Sequence, residues 1–342
     1  MFRGKFMDKK TETKINANYY QIPGTDRFND GEKSFGKAYL DYRKKWREFP
    51  EDRILTDFPL HLDIESTNTC NLKCPMCGRN WMKEKLGHID WNLFVKIIDE
   101  ASKYRLPSIK LNYRGEPLLN PDIARMVKYA KQKGILEVQF NTNGVLLDKK
   151  KTEQLIDARL DRIIFSFDGA TKKTYEKIRK GSNYDIVVKN IKNLVKIRDK
   201  KNMKRPLVRV QMVKMPENKK EVERFIKMWL GTANRVAVIK ERNPLGTKRK
   251  KEHFPCPQIW QRLMICWNGE ARMCCGDWYG EVKLGNVKEK SIYDIWHSEK
   301  LNKIRKIHSR GQFAKIPVCA RCEVNTLRSD PELQKIIEKY KV

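Results

Sequence analysis

Cysteine residues offer the clearest chemistry in this chain of 342 residues, and three of its nine cysteines lie on one short segment. The segment reads LDIESTNTCNLKCPMCGRN and spaces Cys70, Cys74 and Cys77 as C-x-x-x-C-x-x-C. Three thiolates so close together can ligate three irons of a 4Fe-4S cube and leave the fourth iron open for chemistry. Spacing alone leaves two alternatives open, a zinc site with a distant fourth ligand and a set of unconnected buried thiols.

The other cysteines all lie in the last third of the chain. They occupy a segment with little regular periodicity and many turn residues, which is typical of a small domain stapled by metal. Nine cysteines in a reducing compartment are more naturally metal ligands or reactive thiols than disulfides. The six residues concerned are Cys256, Cys266, Cys274, Cys275, Cys319 and Cys322.

Short apolar runs alternate with amphipathic stretches between Leu60 and Ile239, which predicts strand-helix units around a parallel sheet. Six such units predict an α/β fold, a partial (β/α)6 barrel resembling a TIM barrel. The predicted strands are Leu60–Glu65, Ser108–Tyr113, Leu136–Asn141, Arg162–Phe167, Leu207–Val213 and Arg235–Ile239. The predicted helices are Trp91–Lys103, Pro121–Lys133, Lys149–Ala158, Thr171–Lys180, Tyr184–Lys201 and Asn218–Leu230.

The same patterns divide the chain into three parts. Residues 1–59 are predicted to be an N-terminal extension with one helix, Lys37–Phe49, ended by Pro50. Residues 60–240 form the partial barrel. Residues 241–342 are predicted to form a small C-terminal domain stapled by metal, which begins with a polar, basic linker over Glu241–His253.

Composition limits the classes of function. With 40% apolar and 10% aromatic residues the chain can form a real core. No run of about eighteen apolar residues occurs, and the N-terminus lacks the apolar stretch of a signal peptide, so we predict a cytoplasmic protein with no membrane partner. The net charge of +31 fits a lysine-rich surface, an acidic or phosphorylated small-molecule substrate, or nucleic acid. We favour the first, because the charge is spread along the chain and no familiar nucleic-acid module is present.

The cysteine loop, together with Arg114–Pro117 and Ser166–Gly169 after later strands, resembles the radical S-adenosylmethionine (SAM) superfamily over roughly residues 60–239. The resemblance implies that Cys70, Cys74 and Cys77 hold a 4Fe-4S cluster whose open iron binds SAM. It also implies that SAM is cleaved to a 5′-deoxyadenosyl radical, which abstracts a hydrogen from the substrate. Met76 stands where the family usually has an aromatic residue, and Arg114 replaces the first glycine of its GGEP motif.

Further residues are identified through this resemblance as SAM-binding. Gly115 and Glu116 match the GGEP motif, in which the acidic residue accepts a hydrogen bond from the amino group of SAM. Ser166 and Asp168 match an SxDG element, and Arg179 matches an arginine that pairs with the SAM carboxylate. A solvated helix charge is the alternative for Arg179. Asn143 follows the third strand, where it either lines the site or only forms an Asn-Gly turn.

The C-terminal segment is similar to the SPASM and "twitch" extensions of the same superfamily. The similar elements are the NG turn, CC-x-D, LGNV and the DIWHS helix. They imply one auxiliary 4Fe-4S cluster held by Cys256, Cys274, Cys319 and Cys322, with zinc as the chemical alternative. Cys266 and Cys275 are then left over. We favour apolar filling for both, and the resemblance adds a catalytic role as hydrogen-atom donors in an epimerase.

Two functions follow from these resemblances and a third from the net charge. The first is a radical SAM oxidoreductase that oxidises or epimerises a carbohydrate or cyclitol, two outcomes that product mass separates. The second is a peptide maturase, although residues 1–59 do not resemble a leader-binding domain. The third is a nucleic-acid modifying or binding iron–sulfur protein. A flavodoxin or ferredoxin is the expected electron donor.

Overall fold

The computed structural model describes residues 33–241, 256–322 and 330–340, and the backbone of residues 19–23. The predicted linker lies outside the described residues, except for Glu241. No helix in these ranges has the length and apolar character needed to cross a membrane.

The described strands form one sheet in the order β1-β7-β6-β5-β4-β3-β2-β8-β9-β10. The six predicted strands, β2 to β7, lie side by side in chain order and run parallel. This arrangement, with helices between successive strands, confirms the predicted α/β fold. The strands are β1 (Tyr19–Pro23), β2 (His61–Ile64), β3 (Ser108–Lys110), β4 (Glu137–Thr142), β5 (Arg162–Ser166), β6 (Leu207–Lys214), β7 (Arg235–Lys240), β8 (Arg262–Ile265), β9 (Glu270–Arg272) and β10 (Lys283–Asn286).

Four strands extend the sheet beyond the prediction. β1, from the N-terminal extension, pairs antiparallel with β7. β8, from the cysteine-rich segment, pairs parallel with β2 and leads into the antiparallel strands β9 and β10. Without β8, one edge of β2 would have unpaired backbone groups. Because β8 pairs with that edge, the sheet continues beyond residue 240.

Seven helices lie close to their predicted positions, and five more follow residue 240 in the described ranges, one of them the DIWHS helix. They are α1 (Lys37–Glu51), α2 (Trp91–Lys103), α3 (Ile123–Gln132), α4 (Lys149–Asp157), α5 (Lys172–Ile178), α6 (Tyr184–Lys200), α7 (Val222–Trp229), α8 (Gln258–Gln261), α9 (Ile292–Trp296), α10 (Glu299–Ser309), α11 (Pro317–Ala320) and α12 (Pro331–Glu338). Asp90, Asp148, Thr171 and Asn183 cap the N-termini of α2, α4, α5 and α6 with their side chains.

Pro50 does not end the first helix, which was predicted to stop at Phe49. The helix continues to Glu51, so the carbonyl of Trp46 has no N–H partner four residues later. Gln261 supplies the missing donor, since its Nε2 donates to the Trp46 oxygen at 2.6 Å. A contact distant in sequence thus satisfies the helix end.

Side chains alternate between the two faces of the strands. Ile109, Val138 and Phe165 are fully buried against the helices, whereas the residues between them face the other side and are mostly polar. At the amino-terminal ends of the strands, the Tyr39 hydroxyl of α1 donates a hydrogen bond to Glu137 at 3.2 Å, so helix α1 covers this end of the sheet. The opposite, carboxyl edge carries the loops with the predicted site residues.

Candidate active site

The loop after β2 carries the first cysteine group. Cys74 is buried, Cys70 and Cys77 are partly exposed, and all three are free thiols. Cys70 Sγ accepts a hydrogen bond from the Leu72 N–H at 3.4 Å. No three His, Cys, Asp or Glu side chains in the described ranges surround a point where one metal ion would sit. The fit to a 4Fe-4S cluster therefore rests on donor type and on placement along one loop, with one thiolate for each of three irons.

Arg179 links this loop to the end of β5. Its Nε lies 2.6 Å from Asp168 Oδ2, and the Val213 N–H donates to Asp168 Oδ1 at 2.7 Å. The Arg179 side chain is only 15% exposed, so the alternative of a solvated helix charge is wrong. Burial raises the pKa of the Cys74 thiol, and the neighbouring Arg179 opposes this by favouring the thiolate. Thiolate is the form that binds iron.

The Ser166–Gly169 element shapes the turn between β5 and α5. Ser166 is the last residue of β5, is half-buried, and pairs with Gln211 of β6. A Cβ on Gly169 would lie 2.5 Å from the Tyr175 backbone nitrogen, so only glycine permits α5 to pack this closely. The close packing brings Arg179, just after α5, to Asp168.

The GEP turn after β3 packs directly on the cysteine loop. Gly115 has a φ of 72°, and a Cβ there would meet the carbonyl oxygens of Thr67 and Thr69 at 2.4 and 2.6 Å. The Glu116 N–H donates to the same Thr69 oxygen at 2.7 Å. Glycine is needed for both reasons, conformation and space. The turn therefore fixes Glu116 relative to the cysteines.

Glu116 presents a buried carboxylate beside this loop. Its two oxygens accept hydrogen bonds from Thr142 Oγ1 at 2.7 Å, the Asn143 N–H at 2.7 Å and the Leu118 N–H at 3.1 Å. Burial raises the pKa of Glu116 to about 7, although these donors favour the charged form. The group consequently changes charge close to neutral pH.

Asn143 makes the predicted Asn-Gly turn and also lies beside the cysteine loop. Its Oδ1 accepts from the Val145 N–H at 3.0 Å, which makes the Asn-Gly turn. Its Nδ2 donates to Asn71 Oδ1 at 2.9 Å and lies 3.9 Å from Cys70 Sγ. Glu116, Asn143 and Arg179 thus surround the cysteine loop with an acid, an amide and a cation. Such a set is complementary to a ligand that carries both an ammonium and a carboxylate.

A buried arginine next to this set has no counterpart in the predicted site. The guanidinium of Arg114 donates to both oxygens of Glu65, at 2.7 and 3.0 Å, and to Glu84 Oε1 at 3.0 Å. It also donates to the Trp278 carbonyl oxygen at 3.1 Å. The replacement of a family glycine by Arg114 was the available signal, but its partners are far away in sequence.

Arg272 extends this group into the C-terminal segment. Its guanidinium bonds to Glu84 and Glu270, in each case as a close ion pair, and donates to the Trp278 carbonyl oxygen at 3.0 Å. Burial alone would raise the pKa of Glu84, but the two arginines hold it below its usual value. We call Glu65, Glu84, Arg114 and Arg272 the buried charge cluster. It joins β2, the segment after the cysteines, the GEP turn and β9.

Cys266 lies against this buried charge cluster. It is 0% exposed, and its Sγ is 3.7 Å from Arg114 Nη2. Burial raises the thiol pKa well above its usual value, so Cys266 remains protonated at neutral pH. Cys275 differs because it is partly exposed and its Sγ lies 3.4 Å from Gln258 Oε1.

The four predicted auxiliary ligands are neighbours in space. Burial raises the pKa of Cys274 well above its usual value, and repulsion from Cys275, Cys256, Cys319 and Cys322 adds to it. Burial also raises the pKa of Cys319, and repulsion from Cys256 and Cys322 adds to this increase. Four cysteines whose thiolates would repel one another suit a positively charged cluster core.

His308 of α10 holds two of these cysteines in place. The Cys256 N–H donates to His308 Nδ1 at 3.3 Å, so the proton of the neutral ring lies on Nε2. That Nε2 is 3.4 Å from Cys319 Sγ and is oriented to donate to it. Burial lowers the pKa of His308 to about 4, which keeps the ring neutral.

Comparison with known families identifies two matching segments. Residues 64–228 match the family described as "Radical SAM superfamily". Residues 256–323 match the SPASM family, described as "Iron-sulfur cluster-binding domain". Together the two segments cover most of the chain and contain all nine cysteines.

Named relatives differ in how much of the chain they share. A "Tungsten-containing aldehyde ferredoxin oxidoreductase cofactor-modifying protein" of Pyrococcus furiosus is 26% identical, over 77% of this chain and 87% of the relative. A "Probable GTP 3',8-cyclase" of Methanococcus maripaludis is 33% identical, but over only 39% of this chain and 45% of the cyclase. The second match is thus confined to less than half of each protein.

Solved structures with the same fold include three that cover about four fifths of this chain. They are anSMEcpe with bound AdoMet (14% identical, 82% of this chain and 96% of that one, TM-score 0.60), SuiB of Streptococcus suis bound to S-adenosylmethionine (18%, 79% and 73%, 0.57) and BtrN in complex with AdoMet and 2-DOIA (18%, 79% and 96%, 0.53). At these identities the likeness establishes the fold alone.

Removal of the central arginine should destabilise the protein strongly. Arg114→Leu leaves the carboxylate of Glu65 buried without its bidentate partner, so we expect the free energy of unfolding to fall by about 3–5 kcal/mol. Arg224→Ala, which removes an exposed helix arginine, serves as the control and should change it by less than about 0.5 kcal/mol. Denaturant unfolding followed by circular dichroism measures both, and equal stability of the two variants would refute a structural role for the buried charge cluster.

Proposed function

Because the chain belongs to the radical SAM superfamily and carries a C-terminal SPASM iron–sulfur domain, we propose that it abstracts a hydrogen atom from a C–H bond of a small molecule, which it oxidises or epimerises. The observation that carries this proposal is the packing of the Gly115–Glu116 turn on the Cys70–Cys77 loop. This packing brings cysteines of the kind that ligate iron–sulfur clusters close to side chains that are complementary to an amino acid. SAM and 4Fe-4S clusters are the cofactors of this family.

In this proposal Cys70, Cys74 and Cys77 hold the cluster, while Glu116, Asn143 and Arg179 orient SAM. When bound, the reduced cluster and SAM supply the 5′-deoxyadenosyl radical that removes the hydrogen. Glu116 would accept a hydrogen bond from the amino group of SAM, and Arg179 would face its carboxylate. Asp168 fixes Arg179 in that position through the 2.6 Å hydrogen bond.

The inner face of the sheet supports an acidic substrate. Lys110 of β3 is half-buried, and its side chain makes no hydrogen bond or ion pair within the described part of the chain. Burial lowers its pKa, Asp63 and Cys275 act in the opposite direction, and Arg262 and Arg209 add to the lowering. A carboxylate or phosphate of the substrate would compensate this charge. We therefore place the substrate between Lys110 and Cys275.

Oxidation and epimerisation differ in what Cys275 does. An epimerase needs a thiol that can return a hydrogen atom to the substrate radical, and of the two remaining thiols Cys275 has exposed surface whereas Cys266 has none. We propose Cys275 for that role if the product has the mass of the substrate. A product two hydrogens lighter would indicate oxidation and leave Cys275 without this role.

A carbohydrate or cyclitol remains our first substrate class. Modification of a small cofactor is the second candidate, because the P. furiosus cofactor-modifying protein matches over 87% of its own length. An acidic cofactor would suit Lys110 equally well. The peptide maturase and nucleic-acid hypotheses stay predictions without a specific contact in their favour.

The cofactor chemistry can be tested without knowing the substrate. Anaerobically reconstituted enzyme with dithionite should convert SAM to 5′-deoxyadenosine, and Cys70→Ala should abolish this conversion because one iron of the cluster loses its ligand. Cys319→Ala is the matched control, since it removes a cysteine of the other group and should leave cleavage measurable. Liquid chromatography measures the product. Undiminished cleavage in Cys70→Ala would disprove the proposed cluster site.

Binding of SAM should depend on pH through Glu116. Burial raises the pKa of this carboxyl to about 7, so its charged form, the stronger acceptor for the amino group of SAM, is lost as the pH falls through 7. We expect the affinity of the reconstituted enzyme for SAM to fall by about tenfold between pH 8 and pH 6. In Glu116→Gln the affinity should be weak and independent of pH in this range. Equilibrium dialysis with labelled SAM measures both, and a pH dependence that survives in the variant would contradict the assignment.

A further inference from the structure

A cavity of about 450 Å³ opens at the amino-terminal edge of the sheet, opposite the edge that carries the cysteine loop. It lies between the segment before β2 and helix α10. The described residues that line it are Arg53, Leu55, Trp260, Asn302, Arg305, Lys306, Ser309 and Arg310. Its volume falls within the range of about 300–1,000 Å³ that is common for small-molecule sites.

Positive charge dominates this cavity. Four of its described lining residues are arginine or lysine, and none is acidic. Within the described ranges none of the four forms an ion pair. The neighbouring cavity of about 580 Å³, which shares Asn302 and Lys306, adds Lys303 and His297 and one acid, Glu299. The unbalanced charge favours an anion as the occupant.

Arg305 is the buried member of the four. It is 5% exposed and its guanidinium carbon lies 4.3 Å from the centre of the Trp296 ring. Its Nε donates to the Ile259 carbonyl oxygen at 3.0 Å, and its Nη1 to the Trp296 carbonyl oxygen at 2.8 Å and to Asn302 Oδ1 at 2.7 Å. These contacts fix the guanidinium without neutralising it.

The remaining nitrogen of Arg305 has no partner. Nη2 is buried and makes no hydrogen bond in the described structure. A buried donor without an acceptor costs free energy, and a buried cation without an anion costs more. Burial accordingly lowers the pKa of Arg305 to about 10. Arg305 lines the cavity, so an oxyanion there would compensate its charge.

We propose that this cavity binds the phosphate group of a small phosphorylated molecule, with Arg305 as the buried anchor and Arg53, Lys306 and Arg310 around it. Phosphate is favoured over a single carboxylate because four cations match a multiply charged group, and the planar guanidinium fits phosphate oxygens. Ser309 and Asn302 offer further polar contacts, and Leu55 and Trp260 form an apolar wall. The site is separate from the SAM site, so it does not depend on the proposed function.

Inorganic diphosphate is a suitable probe, titrated calorimetrically into the reconstituted enzyme at constant ionic strength. We expect saturable binding at one site per chain. The exposed pair Lys306→Gln/Arg310→Gln should weaken it about tenfold or more, because two charged contacts are lost. Lys149→Gln/Lys150→Gln removes the same charge from α4 and should leave the affinity unchanged. These variants keep the contacts of Arg305, so folding is preserved.

Three outcomes would overturn the proposal. The first is the absence of saturable diphosphate binding. The second is equal weakening in both double variants, which would indicate attraction by net charge alone. The third is binding of citrate as tight as that of diphosphate, because a polycarboxylate would then serve as well as a phosphate.

Discussion

The buried guanidinium of Arg114 is the contact on which the assembly of this molecule most depends. Each of its five N–H groups has an acceptor within reach, namely Glu65, Glu84, the Trp278 carbonyl and Cys266. A charge this deep is tolerated only while its partners stay in place. Those partners belong to the barrel, to the segment after the cysteine loop and to the hairpin of β9 and β10. If any of these three parts moved away, the charge of Arg114 would stay buried without its full set of acceptors.

This constraint joins the C-terminal segment to the loops at the carboxyl edge of the sheet. β8 pairs with β2 and carries the C-terminal segment up to Cys266, directly beneath the Glu65–Arg114 pair. The GEP turn that bears Arg114 also bears Gly115 and Glu116, which pack on the first cysteine loop. One short segment therefore connects the groups that we propose bind SAM to the SPASM domain.

Local patterns predicted most of the fold and of the first cysteine site. The alternation of apolar runs identified all six barrel strands, and the C-x-x-x-C-x-x-C spacing, GEP and SFDG marked loops that the structure places together. Contacts between distant segments could not be found this way. Glu65 and Glu84 look like ordinary charges in the sequence, β8 is only four residues long, and the partners of Arg305 lie on three separate elements. In each case the missing information was which segments meet, and no residue pattern encodes that.

We propose that SAM binds to a cluster held by the Cys70–Cys77 loop. Electron paramagnetic resonance of the reduced, reconstituted protein tests this binding most directly. SAM should change the g-values of one cluster signal in the natural protein. In Cys70→Ala the signal of the auxiliary cluster should remain and should not respond to SAM. A spectrum of the natural protein that SAM leaves unchanged, or a response that persists in Cys70→Ala, would contradict the account.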